Sequence, residues 1–326
     1  MPQNQNGGQP DSPINYINAQ TAMEFLAEAQ RDNGSILNDP IFTDWTAIAA
    51  SAFGGGTPLK QNITRYLLTD PSPLSGINET ADYERRAMAL LALGVNPYNG
   101  TPTNYIQKIL DAFDGVQFGN ADLFNDDIFA LFPLLHAGYT TSDAEITAPV
   151  AFILSKQETN GSWGSVDLTA AAIQALAPVS ARPGVSDALT KAKTYLKNAQ
   201  TNDGGFENTD STSWTLQAIA SLGEPETAWR KNGKAPNDFL ASQQQADGGI
   251  GQADLPQTMR VWSTAYAIPA AMGKPWHAIL QNVEKQETRN KKQETTPQTN
   301  NSGGGPAVIS ASPPRSPVIT SIDVPL

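Results

Sequence analysis

Four stretches of the chain share one pattern of apolar and polar positions. "YLKNAQTNDGGF" (195–206) starts as the end of an amphipathic helix and finishes in a glycine turn closed by an aromatic. Its skeleton is Tyr195, Gln200, Gly204 and Phe206. The same spacing returns as Phe152, Gln157, Gly161 and Trp163, as Phe239, Gln244, Gly248 and Ile250, and as Phe25, Gln30, Gly34 and Ile36. An Ala- and Leu-rich segment follows each copy and predicts a second helix, over 42–55, 166–178, 210–223 and 257–273. Two weaker copies, 66–94 and 105–138, keep the aromatic start, the polar turn and the Gly-terminated helix but lose the Gln. The aromatic starts recur every 40 to 47 residues or so, the period of helical-hairpin repeats.

Small oxygen-bearing residues suited to N-caps stand near the start of most second helices: Asp44, Asp82, Asn125, Asp167 and Asp210. Gly54, Gly94, Gly138, Gly223 and Gly273 mark their ends. The second helices are apolar around most of their circumference, which predicts cover on both sides, whereas the first helices are one-sided. Six hairpins with a dry inner and a wetter outer member predict an all-α fold, an (α/α)6 toroid. An open α-solenoid is the alternative, and it requires polar caps at both ends. In the repeated motif, Gln200 is expected to donate to carbonyls left unpaired at its helix end and to accept from N–H groups at the next helix start. Gly204 is expected at positive φ, with Phe206 folded back over the amide.

The stretch "KAKTYLKNAQTNDGGF" resembles the repeat of terpenoid cyclases and protein prenyltransferases, whose relatives include cobalamin carriers and secreted bacterial repeat proteins. The resemblance spans about residues 19–276. It implies a toroid in which the inner-helix N-termini surround a cavity opening and the Gln and terminal aromatic staple outer helices to inner ones. The motif residues so assigned are Gln30, Gln157, Gln200 and Gln244, Gly34, Gly161, Gly204 and Gly248, and Trp163 and Phe206. The superfamily mixes enzymes with carriers, so the resemblance leaves the function open.

Composition narrows the chemistry. A net charge of -11 and a pI near 4.6 disfavour nucleic acid and anionic membrane surfaces as partners. No apolar run approaches the roughly 18 residues of a membrane span. The absence of cysteine removes thiolate metal sites, disulfides and cysteine nucleophiles. His136 and His277 have no acidic neighbour in sequence, so no metal and no cofactor is expected. Class II terpene cyclases use an Asp-x-Asp-Asp acid, and the nearest match is "FNDD", with Phe124 in place of the first Asp and Asp126 and Asp127 retained. Capping and first-turn charge explain those residues equally. Glycan chemistry would need two carboxylates beside a groove. Asp44, Asp82, Glu84, Asp126, Asp127, Asp167 and Asp210 supply carboxyls, each also explained as a helix-start residue.

A binding module needs only a concave, partly apolar cavity with a few polar groups. Trp45, Phe129 and Trp214 each lie nine residues before a helix-ending Gly and would narrow the lumen from three directions. Thr169, Thr264 and Arg85 would complete that level. Tyr83, Arg85, Asp126 and Trp262 join those three aromatics as expected cavity-mouth residues. Arg85 and Arg86 stand on an otherwise apolar helix. Either they pair with Asp82 or Glu84 at the surface, or Arg85 reaches an anionic ligand or Asp126 and Asp127 inside.

The expected organisation is a flexible segment over 1–18, the toroid over 19–284, and a Pro/Gly/Ser/Thr-rich disordered linker or tail over 285–326. The expected role is non-catalytic binding of a small apolar or amphipathic ligand, or of another envelope protein, by a secreted or surface bacterial protein. A terpene cyclase and a glycan-active enzyme are the alternatives.

Overall fold

The computed structural model describes residues 12–287. Outer helices α1 (Ala19–Glu28), α3 (Pro58–Leu67), α5 (Tyr105–Asp111), α7 (Ala144–Ser155), α9 (Val185–Ala199) and α11 (Pro236–Gln243) alternate along the chain with six inner ones. The inner helices are α2 (Pro40–Phe53), α4 (Glu79–Leu93), α6 (Asn125–His136), α8 (Val166–Leu176), α10 (Thr209–Ser221) and α12 (Gln257–Ala271), and a single turn, α13 (Trp276–Ile279), follows. Each inner helix packs on the next, and α12 packs back on α2, so the hairpins close into a ring. The inner helices are buried on nearly every face, as their composition requires. The fold is the all-α toroid expected.

The glutamines close the outer layer. Gln157 donates to Gly161 O of its own turn at 2.9 Å and to Ala188 O of α9 at 2.8 Å. Gln200 reaches Gly204 O and Trp229 O, and Gln30 reaches Gly34 O and Leu59 O of α3. At the seam Gln244 donates to Gly248 O and to Asn18 O, and its Oε1 accepts from Asn18 N at 2.7 Å. Each amide therefore joins one outer helix to the next outer segment. This corrects the expectation that the glutamines staple outer helices to inner ones. The reason lies in the turn: it ends against the start of the following outer segment, whose backbone carbonyls lie within reach of the amide. Gly161 has φ +94°, and a β-carbon there would sit 2.5 Å from Lys191 O of that neighbour.

Threonines make the inner-to-outer tie. The hydroxyls of Thr43, Thr169, Thr212 and Thr264 accept from the N–H of Ile36, Trp163, Phe206 and Ile250 at 2.8 to 3.0 Å. Each donates to a carbonyl of its own helix start, as Thr169 does to Ser165 O at 2.6 Å. Thr169 and Thr264 are thus turned away from the lumen and do not complete its ring as expected. They lie two residues, or about 200° of helix, before the lumen positions Ala171 and Tyr266.

The start of each inner helix also differs from the expected caps. The capping side chains are Asp39, Asn78, Ser165 and Asn208, and α6 follows Phe124 with no side-chain cap. Asp44, Asp82, Asn125, Asp167 and Asp210 fall inside the helices instead, because each helix starts up to five residues earlier than the pattern suggested. At the other end Gly54, Gly94, Gly138, Gly223 and Gly273 all have positive φ, as expected. Residues 12–18, expected as part of a flexible segment, are held by Asn15 on Asp238 and by the Arg230 guanidinium on Ser12 O. The tail beyond residue 287 and residues 1–11 lie outside the described residues. No helix among the described residues is long and apolar enough to cross a membrane.

Candidate functional site

The lumen is built from positions four residues apart on the inner helices, which stack on one face. One level holds Trp45, Phe129, Trp214 and Tyr266. Trp45 lies 6.4 Å from Phe129 and 5.0 Å from Tyr266, and Trp214 lies 5.9 Å from Phe129 and 5.4 Å from Tyr266, mostly edge to face. The three aromatics expected to converge do so. The fourth, Tyr266, was not singled out from the sequence, although it stands four residues after Trp262.

Trp276 fills the centre from below. It is fully buried, with centroids 5.0 to 5.5 Å from Trp214, Phe132, Trp45 and Phe129. Residues 274–283 carry it across the C-terminal ends of the inner helices. Trp276 N donates to Gln174 Oε1 at 3.1 Å, and Gln217 Nε2 donates to Lys274 O at 3.0 Å. The Lys274 ammonium caps Ala52 O, while Gln281 N and Val283 N donate to Leu91 O and His136 O. The strap thus supplies donors to carbonyls that helix ends leave unpaired. It also buries two histidines, whose imidazoles are pushed below the usual pKa by desolvation.

The opposite end, around the inner-helix N-termini, is the candidate site. One turn above the aromatic level stand Ile41, Thr80, Asn125, Asp167, Asp210 and Trp262. Glu84, two residues after the Asp82 that accepts from Ser75 N, stands at the aromatic level itself. Asp167, Asp210, Trp214, Trp262 and Phe129 are half-buried, so water reaches this mouth. Phe42 packs on Trp262 at 5.6 Å. Burial raises the Asp210 carboxyl to about 6, with the Ser263 hydroxyl working against it and the Asp167 charge adding to it. Asp167 is raised as well, by burial first. Glu84 is fully buried with no partner on either oxygen, and it is raised well above the usual range by burial and then by Asp126 and Asp127.

The remaining sequence candidates serve other ends. Arg85 is buried and spent: Nη1 meets Asp82 at 2.7 Å, Nε meets Asp44 at 3.2 Å, and Nη2 donates to Pro73 O. It pairs with Asp82 as one reading had it, but in the interior, and it does not reach Asp126 or Asp127. Arg86 joins the same Asp44 at 2.7 Å. Tyr83 is not at the mouth. It faces outward, 6.2 Å from Tyr105, with its hydroxyl on Glu79. Asp126 is buried rather than a surface cap, and it accepts from Asn78 Nδ2 at 2.6 Å; burial nevertheless raises it to about 6. Asp127 accepts from Phe118 N at 2.8 Å, the tie that threonine makes elsewhere, and burial raises it to about 7. Among the described residues no three His, Asp or Glu side chains are grouped so as to hold a metal ion.

No protein-family model and no curated protein matches the chain. Solved structures do. The type II terpene cyclase MstE from Scytonema, a variant in complex with geranylgeranyl dihydroxybenzoate, aligns with a TM-score of 0.58 at 11% identity over 80% of this chain and 97% of that one. The same enzyme without ligand aligns with a TM-score of 0.58 at 10% identity over 78% and 96%. Haptocorrin in complex with Cbi aligns with a TM-score of 0.56 at 15% identity over 83% and 71%. At such identities the likeness is one of fold: this chain has the α/α toroid of the terpenoid cyclase-like proteins.

Proposed function

We propose that the protein is a non-catalytic binding module that takes a small ligand at the N-terminal mouth of its ring. The observation that carries this reading is Trp276. It occupies the level at which a long substrate would have to lie, packed against rings from three inner helices and sealed beneath by the strap. At the inner-helix N-termini the half-buried Phe129, Trp214 and Trp262 rings stand with the half-buried Asp167 and Asp210 carboxyls, the mix of apolar and polar groups that suits a small ligand. Solved structures of this fold hold small molecules, geranylgeranyl dihydroxybenzoate in MstE and Cbi in haptocorrin, which supports the same general use here. The acidic, cysteine-free composition supports a secreted or surface location.

One observation favours a cyclase: the buried Asp126, raised to about 6, would be partly protonated near neutral pH, as a general acid must be. Its Oδ1 is nevertheless engaged by Asn78, and at the lumen level Phe129 packs against the rings of Trp45, Trp214 and Trp276. Incubation with squalene and with geranylgeranyl dihydroxybenzoate, followed by product analysis, tests the choice. We expect unchanged substrate; a cyclised product that Asp126→Asn abolishes would overturn the binding reading. Native mass spectrometry of the protein from its own source tests binding directly. A non-covalent mass that is lost on Trp214→Ala supports the reading, and the same mass retained by that variant places the ligand elsewhere.

A further inference from the structure

A cavity of about 390 Å³ lies away from the mouth, between the C-terminal ends of α10 and α12 and the first turn of α11. Leu216, Ile219, Ala270, Ala271 and Met272 line it with apolar surface. Tyr16 adds a ring from the N-terminal segment, which Asn15 on Asp238 and Asn18 on Gln244 hold on either side. The segment that closes the ring therefore also walls this cavity. The Tyr16 side is 56% exposed, so a molecule in the cavity would cover apolar surface that now faces water.

Asn237 lines the same space and is itself only 2% exposed. Its backbone N–H and Nδ2 donate to the two oxygens of Glu226 at 2.8 Å, while its Oδ1 has no partner among the described residues. A buried amide oxygen without a donor is costly, and it marks a place where a donor is wanted. The cavity's two carboxylates are engaged, Glu226 by Asn237 and Glu224 by the Lys193 ammonium and Trp229 Nε1.

We infer that this cavity is a second ligand site, for a neutral molecule with an apolar body and one hydroxyl. The O–H donates to Asn237 Oδ1, and the carbon skeleton lies against the α10 and α12 walls and the Tyr16 ring. The inference does not rest on the mouth being a ligand site. Other classes fit less well. An anion would meet Glu224 and Glu226. A cation would find both carboxylates already engaged and would lose its water to apolar walls. A hydrocarbon would leave Asn237 Oδ1 unpaired. Water alone would satisfy that oxygen but not the apolar walls.

The methionines report the site. Met272 lines the cavity, whereas Met259 stands in the first turn of α12, at the mouth end. The full chain, carrying carbon-13 at its methionine methyls, is titrated at about pH 7 with 4-propylphenol, and the Met272 signal is assigned with Met272→Leu. A saturable shift of Met272 is expected, with Met259 unmoved. The counterpart in which fluorine replaces the hydroxyl should bind about tenfold more weakly. Ala220→Trp, which fills the cavity from α10, should abolish the probe-induced shift. Equal affinity for the phenol and its fluoro counterpart would overturn Asn237 as the recognising group. A Met272 shift produced by 3-phenylpropylammonium and not by the phenol would overturn the neutral class. No Met272 shift up to the probe's solubility limit, or a shift of Met259 alone, would overturn the site. These outcomes are read on the parent chain and stand whether or not Ala220→Trp folds.

Discussion

At the scale of single residues the carboxylates decide most. Asp127 stands where four other repeats place a threonine, and it makes the same bond to a backbone N–H. Its folded pKa of about 7 lies above the unfolded value near 4, so its charge costs stability at pH 8 and not at pH 4. Asp127→Asn keeps an acceptor for Phe118 N and drops the charge, so its melting temperature should exceed the parent's at pH 8 and match it near pH 4. A lower value at pH 8 would mean that the carboxylate itself is needed. Asp44 is the opposite case, since it balances Arg85 and Arg86 in the interior. Asp44→Ala should cost about 3–5 kcal/mol in denaturant unfolding, because two buried guanidiniums lose their shared partner. A loss below about 1 kcal/mol would show the arginines re-paired. These roles were only half legible in the sequence. The pattern located Asp44, Asp126, Asp167 and Asp210 at helix starts. It could not tell a cap from an interior tie, because a shift of a few residues in the start turns the same side chain from backbone to lumen.

At the scale of elements, the repeated hairpins were legible because Gln, Gly and the closing aromatic each answer a local backbone need. A Gly is required where the turn abuts the next helix, as Gly161 does at Lys191. The partner of the glutamine was not legible, because the pattern marks the donor and not the carbonyl that it meets. The strap was missed altogether. "KPWHAIL" follows the sixth hairpin with no repeat to announce it, and only its Trp276, Ile279 and Leu280 betray apolar surface beyond the last expected helix. Its contribution is measurable. Trp276→Ala should destabilise by about 3–5 kcal/mol in urea, the range for removing a large buried ring. It should also open the lumen to an apolar dye that the parent excludes. A loss under about 1 kcal/mol with no dye uptake would mean that the ring does not depend on its plug. Gln244→Ala removes the donor at the seam and should cost about 1–3 kcal/mol, since Asn18 O and Gly248 O lose a partner.

At the scale of the whole molecule, two sets of buried groups oppose each other in pH. Asp126, Asp127 and Asp210 have folded pKa values above their unfolded ones, so their contribution is present below about pH 4 and is lost as pH rises through 6 to 7. Glu84, raised well above the usual range by burial, acts in the same direction. His136 and His277 have depressed values, so theirs is present above about pH 6.5 and is lost as pH falls below it. Surface carboxyls held low, such as Asp114, Asp143 and Asp247, weaken the fold only below about pH 4. With the raised carboxyls in the majority, the melting temperature should be higher near pH 5.5 than at pH 8 by about 4 °C or more. A rise toward pH 8 would assign the histidines the larger share. The mouth, the aromatic floor and the lumen all depend on the ring closing. It closes where α12 packs on α1 and α2 and where Gln244 at the end of α11 meets Asn18 at the start of α1. The chain has no cysteine, so spin labels on Gln20→Cys and Ala246→Cys report that seam alone. A closed ring predicts a short, narrow distance, that of adjoining helices about 10 Å apart plus the label arms. A broad distance near 50 Å, the span of six hairpins laid side by side at that spacing, would contradict it.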